Sequence, residues 1–206
     1  MNKKIGAIMI VFVLIVVVVS VAFYVRSNRI ASSQSRYVSE SSTNVVDKTK
    51  REHDSFISQV AHPAIKLYEK NQQVLPSIVV AQAILESSWG NSDLYRNANN
   101  PFGIKGSYQG QSIRYNTEEV ISGKRITVKA AFRKYPSLLA AINDHNQLLT
   151  QQFINQNDGL SYRQMAKSLQ QNGYATDPNY AKKLIQIIRK YDLSQYDLTA
   201  INGNNN

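Results

Sequence analysis

The sequence predicts an α+β protein, mainly helical, with one small β-hairpin lobe and an N-terminal transmembrane helix ahead of it. Three observations predict this. Ile5–Val25 is an uncharged apolar run. Apolar residues then recur at helical spacing through most of the region from Phe56 to Ile188. Between Ser112 and Tyr135 the period changes to two: Ile126, Val128, Ala130 and Phe132 alternate with Thr127, Lys129 and Ala131, the pattern of a half-buried strand.

The apolar run is 21 residues long, about 30 Å as a helix and enough to cross a bilayer core. Phe23, Tyr24 and Val25 occupy positions where a cleavage site needs small residues. The run is therefore read as an uncleaved signal anchor (5–25) behind a short tail (1–4). Lys3 and Lys4 precede it, whereas Arg26, Arg29 and Arg36 follow, so the positive-inside count does not favour an exported C-terminal part. Residues 26–50 read as a flexible linker. Seven of the 24 residues from Ser27 to Lys50 are Ser, and no apolar period is sustained.

The globular part is expected over 51–195. Phe56, Ile57, Val60, Ala64, Leu67 and Tyr68 share a helical face, which Pro63 is expected to kink or split. Next comes VLPSIVVAQAILESSWG, Val74 to Gly90, the stretch around which the domain is organised. Pro76 suits a first helical turn, and a helix apolar nearly all round is buried. Gln82 and Glu86 interrupt it four residues apart, on one face, with Trp89 on roughly the same side. Gly90 is the helix stop. Asn91 to Gly110 has loop chemistry. A hairpin follows, with Ile113–Ile121 paired through a Ser122-Gly123-Lys124 turn. Pro136-Ser137 opens the next helix, Ser161 with Gln164 has capping-box spacing, and Asp177-Pro178 reads as N-cap and first turn of the last helix. Residues 196–206 read as a disordered tail.

The composition bounds the function. The chain has Lys+Arg 24 against Asp+Glu 14, a net charge of +10. Such a chain favours anionic partners: nucleic acid, anionic lipid or an acidic wall polymer. No nucleic-acid-binding motif is present. There is no Cys, hence no disulfide framework and no thiolate nucleophile. His53, His62 and His145 lack metal-ligand spacing, so no metal and no cofactor are expected.

Two constellations carry chemistry. Desolvation of Glu86 would raise its pKa and keep it protonated near neutral pH, as a general acid requires. The other reading is a Glu that reaches solvent at the helix end or pairs with a core Arg. Thr117-Glu118-Glu119 lies on the first hairpin strand. Neighbours on a strand point to opposite faces, so at most one of the two Glu faces a cleft. Carboxylates on two separate elements are the arrangement that glycoside hydrolysis uses, although Glu is also common on exposed hairpins.

Four segments in order carry a resemblance: AQAILESSWG, NNPFGIKG, TEEV with GKRITVKAAFRKYPS, and NGYATDPNYAKKL. From about Phe56 to Tyr191 they resemble the bacterial N-acetylglucosaminidase domains of glycoside hydrolase family 73. The resemblance implies a lysozyme-like fold, a helical lobe and a small β-lobe flanking a groove. It also implies a peptidoglycan hydrolase, an autolysin that cleaves the β-1,4 bond on the reducing side of N-acetylglucosamine. The family's acid matches Glu86, its second carboxylate Glu119 in a Thr-x-Glu pattern, and a Tyr important for activity Tyr174. Gln82, Trp89, Asn100, Phe102, Phe132 and Tyr135 occupy motif positions and are candidate groove residues; Phe132 and Tyr135 have an equal reading as core. Glu119 would activate water, or assist while the substrate's own acetamido group attacks. The implied partners are glycan strands and anionic wall polymers, with the membrane reached through the N-terminal helix, no nucleic acid, and a monomeric state. The expected location is the outer face of the cell membrane, or secretion if the anchor is cleaved. The alternatives are a lytic transglycosylase or muramidase of the same superfamily, and a non-catalytic membrane-tethered wall-binding module.

Overall fold

The computed structural model describes residues 45–121, 124–154 and 161–203; for 118–121 and 124–125 it describes the backbone alone. The expected membrane span and the linker up to residue 44 lie outside the described residues. Among the described residues no helix is long and apolar enough to cross a membrane. The chain divides into two compact units, Met1–Glu52 and His53–Asn206. In the first, residues 45–52 are helical, so the end of the expected linker is a helix. Exposed pairs at helical spacing line it, Arg51–Asp47 at 2.5 Å and Lys48–Glu52 at 3.9 Å.

The second unit opens with helix α1, residues 53–71. Its buried face holds Phe56, Ile57, Val60, Ala61, Ala64, Leu67 and Tyr68, the periodicity read from the sequence. The helix runs through Pro63 without a break. Proline there removes one backbone donor, and the buried Ala61 and Ala64 on either side hold the helix on the core.

Helix α2, Pro76–Ser87, is the centre of the unit: ten of its twelve residues are buried, so other elements must enclose it on every side. Helices α5 (Tyr162–Gln171), α6 (Tyr180–Lys190) and α7 (Ser194–Gly203) pack against it. Its N-cap residue, Leu75, supplies no side-chain bond. Asp197 of α7 does so instead, accepting from the Ser77 amide at 2.8 Å and from Ser77 Oγ at 2.7 Å. A carboxylate there also meets the positive end of the helix dipole. This corrects the expected disordered tail from residue 196. Residues 194–203 are helical because Asp197 and Ala200 have partners in the core, which composition does not reveal.

Helix α3, Asp93–Ala98, is capped by Ser92, whose hydroxyl accepts from the Tyr95 amide. The hairpin pairs β1, Ser112–Ile121, with β2, Lys124–Arg133, antiparallel and in register from Ser112↔Arg133 to Ile121↔Lys124. The expected turn residues Ser122 and Gly123 lie outside the described residues. Burial is deepest at the base of the hairpin, where Phe132 is 7 % exposed, and falls off toward Ile126 at 40 %. Between them Val128 and Ala130 are half-buried and alternate with exposed Thr127 and Lys129, as the period of two predicts. The preceding loop fixes that base. Gly106 N–H bonds to Ala131 O, Arg133 N–H bonds to Ile104 O, and Lys105 bridges to Phe132.

Ser137 caps α4, Leu138–Gln152, and Ser161 caps α5, as the sequence indicates. Helix α6 starts two residues later than expected. Asn179 is its N-cap, and Asp177 accepts from the Asn179 amide through its side chain at 2.9 Å and from the Tyr180 amide through its carbonyl at 3.0 Å.

The Asp197 cap yields a stability prediction. Asp197→Ala leaves the Ser77 amide and hydroxyl, both fully buried, without their acceptor, and should cost about 2–4 kcal/mol. Urea unfolding of the variant against the parent chain measures it; a loss below about 0.5 kcal/mol would show that α7 does not cap α2.

Candidate active site

Glu86 lies in the last turn of α2, where the helix leaves the core. Beyond it the backbone turns sharply: Ser88, Trp89 and Gly90 all have positive φ, at 51°, 62° and 74°. Two of the three carry side chains, and such a conformation costs roughly 1–2 kcal/mol per residue. Gly90 is required for a second reason, since a Cβ there would lie 2.6 Å from the Phe56 ring. Ser87 braces the turn, donating to Ala83 O at 2.5 Å and accepting from the Gly90 amide at 2.8 Å. The turn carries Trp89 away from its helical position. The indole stacks on His53 with ring centroids 3.5 Å apart and meets Tyr191 edge-on at 4.8 Å.

Glu86 opens on a groove of about 500 Å³. The NPFGIKG loop forms one wall with Phe102, Gly103, Ile104 and Lys105, joined by Arg133 from the hairpin base. Helix α4 supplies Leu148, Gln152 and Phe153, and the segment before α6 supplies Tyr174 and Ala175. Phe102 stacks on His145 at 3.8 Å. His145 is fully buried, and that burial lowers its pKa to about 4, so it packs as a neutral ring at neutral pH. The side face of Phe153 meets the Tyr174 ring at 5.2 Å, and Tyr180 lies 5.4 Å from Tyr174.

The acid is held by a short chain of bonds. Gln82 Nε2 donates to Tyr180 Oη at 3.0 Å, and Tyr180 Oη donates to Glu86 Oε1 at 3.0 Å. Surrounding protein raises the Glu86 pKa by desolvation; the Tyr180 bond and the positive charge of Lys183 oppose that shift without cancelling it. The Tyr174 hydroxyl is pushed up, first by burial and then by Glu86. Burial likewise raises Tyr180. Both phenols therefore stay protonated. Glu86 thus stands beside two neutral hydroxyls, in a groove also lined by Lys105 and by Arg133, which pairs with Asp144. Among the described residues no group of three or more His, Asp and Glu is arranged to hold a metal ion.

The structure brings Glu86, Gln82, Phe102 and Tyr174 together. Of these, Gln82 stands behind Glu86, fully buried, and reaches it through Tyr180. Trp89, Asn100, Phe132 and Tyr135 are not among the residues lining the groove. Asn100 stitches its wall: Nδ2 donates to Ile104 O and Arg133 O, and Oδ1 accepts from the Ile104 amide. Phe132 is buried at the hairpin base. Tyr135 donates to Asp144 at 2.5 Å, and Arg133 pairs with the same carboxylate oxygen at 2.5 Å. Glu119 is paired with Ile126 and Glu118 with Thr127; the side chains of these two Glu lie outside the described residues. Sequence reasoning missed Tyr180, Lys105 and Arg133. Tyr180 stands in the NGYATDPNYAKKL segment, and its polar hydroxyl on a helix start that must be buried was the available signal.

Comparison with known proteins places the chain in a family. Exo-glucosaminidase LytG of Bacillus subtilis (strain 168) is 46 % identical over 153 residues, 71 % of this chain and 54 % of LytG. A probable N-acetylmuramidase of Lactococcus lactis subsp. cremoris is 37 % identical over 163 residues, 74 % of this chain and 37 % of that protein. The chain thus spans about half or less of the curated relatives it matches. The crystal structure of the catalytic domain of the autolysin Auto from Listeria monocytogenes matches with a TM-score of 0.63 at 35 % identity, over 71 % of this chain and 88 % of that one. Residues 62–193 match the glucosaminidase family model, described as mannosyl-glycoprotein endo-beta-N-acetylglucosaminidase. With that match over most of the globular unit, and a mainly helical fold bearing one small hairpin, the chain belongs to the glucosaminidase family.

Proposed function

We propose that this chain is a peptidoglycan hydrolase that cleaves the β-1,4 bond on the reducing side of N-acetylglucosamine in cell-wall glycan. The observation that carries the reading is Glu86: a carboxyl of raised pKa at the end of a buried helix, open to a groove with aromatic and cationic walls. Protonated Glu86 gives its proton to the leaving glycosidic oxygen as the bond to C1 breaks. A water molecule supplies the hydroxyl that C1 gains, and its remaining proton restores the acid–base pair. Glu119 on the hairpin is the second carboxylate, acting on that water or assisting attack by the substrate's acetamido group. Tyr174 and Phe102 contact the sugar, and Lys105 and Arg133 suit the anionic groups of the wall glycan. A muramidase specificity is the second reading, favoured by the relative named as a probable N-acetylmuramidase; it cuts the other glycosidic bond of the same strand.

The reading extends to location. Ile5–Val25 would remain as a membrane anchor, with the catalytic unit on the outer face beside its substrate. The run ends in the large residues Phe23, Tyr24 and Val25, and the proposed substrate lies outside the membrane.

Three outcomes follow. Glu86→Gln should lower turnover of purified cell walls by roughly 10²–10⁴-fold with the fold intact. Mass spectrometry of the parent chain's products should find new reducing-end N-acetylglucosamine. Substantial hydrolysis by folded Glu86→Gln would remove the acid assignment, and reducing or anhydro muramic ends would establish the second reading. On the hairpin, Glu119→Ala should lose more activity than Glu118→Ala, since the two occupy opposite faces; an equal or reversed ranking in the same assay would dismiss Glu119. Finally, protease added to wall-stripped intact cells should remove the catalytic unit and leave a membrane stub. Protection until the membrane is broken would refute the orientation, and a mature N-terminus near Ser27 would refute the retained anchor.

A further inference from the structure

We propose that Gln82 and Tyr180 are positioning residues that give Glu86 one occupied and one free oxygen: Gln82 donates to Tyr180, Tyr180 donates to Oε1, and the proton for the leaving group is thereby favoured on Oε2. The inference rests on the reading of Glu86 as the acid and adds a direction to its surroundings. A phenol has one proton. An amide nitrogen is a donor alone, so at 3.0 Å Gln82 Nε2 makes Tyr180 Oη its acceptor. The single Tyr180 proton then goes to Glu86 Oε1, also at 3.0 Å. Oε1 accepts that bond, which favours Oε2 as the oxygen that carries the acid proton.

Burial enforces the order. Gln82 is fully buried and Tyr180 is 3 % exposed, so bulk water does not compete for the bond between them. The amide leaves its own Oε1 buried with no hydrogen-bond partner among the described residues. Turned over, the amide would satisfy that oxygen with the Tyr180 proton and reverse the chain. The turned-over amide would leave its NH2 group unmet at that place, so the direction that serves Glu86 leaves a single acceptor unmet instead of two donors. Gln82 and Glu86 stand one turn apart on the same face of α2, and Tyr180 opens α6, so the relay joins two packed helices.

The other groups around Glu86 do not duplicate this role. Tyr174 from the segment before α6 is hydrogen-bonded to the Tyr180 hydroxyl and held neutral; the Glu86 carboxylate is the stronger acceptor of the two for the Tyr180 proton. Lys183, one turn along α6 from Tyr180, acts on Glu86 by its charge and pairs with Asp177 at 2.6 Å. Lys105 and Arg133 also line the groove, and Arg133 is held by Asp144.

The test uses Tyr180→Phe, which keeps the ring and removes the hydroxyl, and Gln82→Leu alone and on the Tyr180→Phe background. Two readouts are taken: the pH profile of kcat/KM, and the ¹³C titration of the Glu86 carboxyl in the substrate-free protein. Tyr180 donates to the carboxylate and so stabilises the charged form. Its loss should move the ¹³C midpoint and the alkaline limb to higher pH and lower kcat about 10- to 100-fold, with KM little changed. Gln82→Leu should move the midpoint the same way by less, and should add nothing to Tyr180→Phe. An unmoved midpoint in Tyr180→Phe would reduce Tyr180 to packing. A midpoint moved to lower pH would mean that Tyr180 accepts from the protonated acid, with the amide turned over. Additive shifts would detach Gln82 from the relay. Because the titration needs no turnover, it stands apart from the Glu86→Gln assay: an active Glu86→Gln protein with a shifting midpoint would sink the acid and leave the relay.

Discussion

The unit depends on enclosing one helix. Helix α2 has almost no polar circumference, so its stability requires cover on all sides, and α5, α6 and α7 supply it. That enclosure has a chemical result. A side chain at the exit of such a helix is set among low-dielectric surroundings yet opens to solvent, and Glu86 is there. Glu86 itself is exposed, and the protein packed around that exit disfavours its carboxylate form. Fold and acid strength are thus consequences of one constraint. Loosening the cover of α2 would cost stability and would also relieve the desolvation that raises the Glu86 pKa.

The groove wall depends on a second device, a polar one. Asn100 is buried and spends its amide on three backbone groups, tying the NPFGIKG loop to the end of β2. Asp144 of α4 then takes both Arg133 and Tyr135. Loop, hairpin base and α4 are joined by side chains whose partners are backbone or charge, in a place where an unmet polar group would be costly. Asn100 and Tyr135 therefore shape the groove from behind it. Farther along β2, Ile126 and Thr127 are exposed.

The turn after Glu86 shows strain at the site. Three successive residues adopt left-handed conformations, two of them with side chains. Strain persists where surrounding packing over-determines the backbone, and here the Ser87 brace and the stack of Trp89 on His53 supply that packing. The result is a helix that stops one residue after its acid. A continued helix would carry Trp89 on the Glu86 side; the turn instead commits it to the back of the unit, against His53 and Tyr191.

Much of this was legible locally. The apolar circumference of α2, the position of Glu86, the change to a period of two at the hairpin, and the Ser137 and Ser161 caps all depend on residues within a turn or a strand of one another. Spacing and capping chemistry therefore determine them. The four motif segments likewise pointed to Glu86, Phe102 and Tyr174 in one groove. What the sequence did not decide depends on partners far along the chain. Tyr180 meets Glu86 across 94 residues, Gln82 meets Tyr180 across 98, and Asp197 caps Ser77 across 120. No local pattern marks such pairs. A Gln inside an apolar helix reads as a groove residue until its partner is seen, and an Asn-rich C-terminal segment reads as a tail until one of its carboxylates is found on a buried amide. Tertiary packing also turned Trp89 out of its helical direction, because the backbone after Glu86 takes a conformation that helical periodicity excludes.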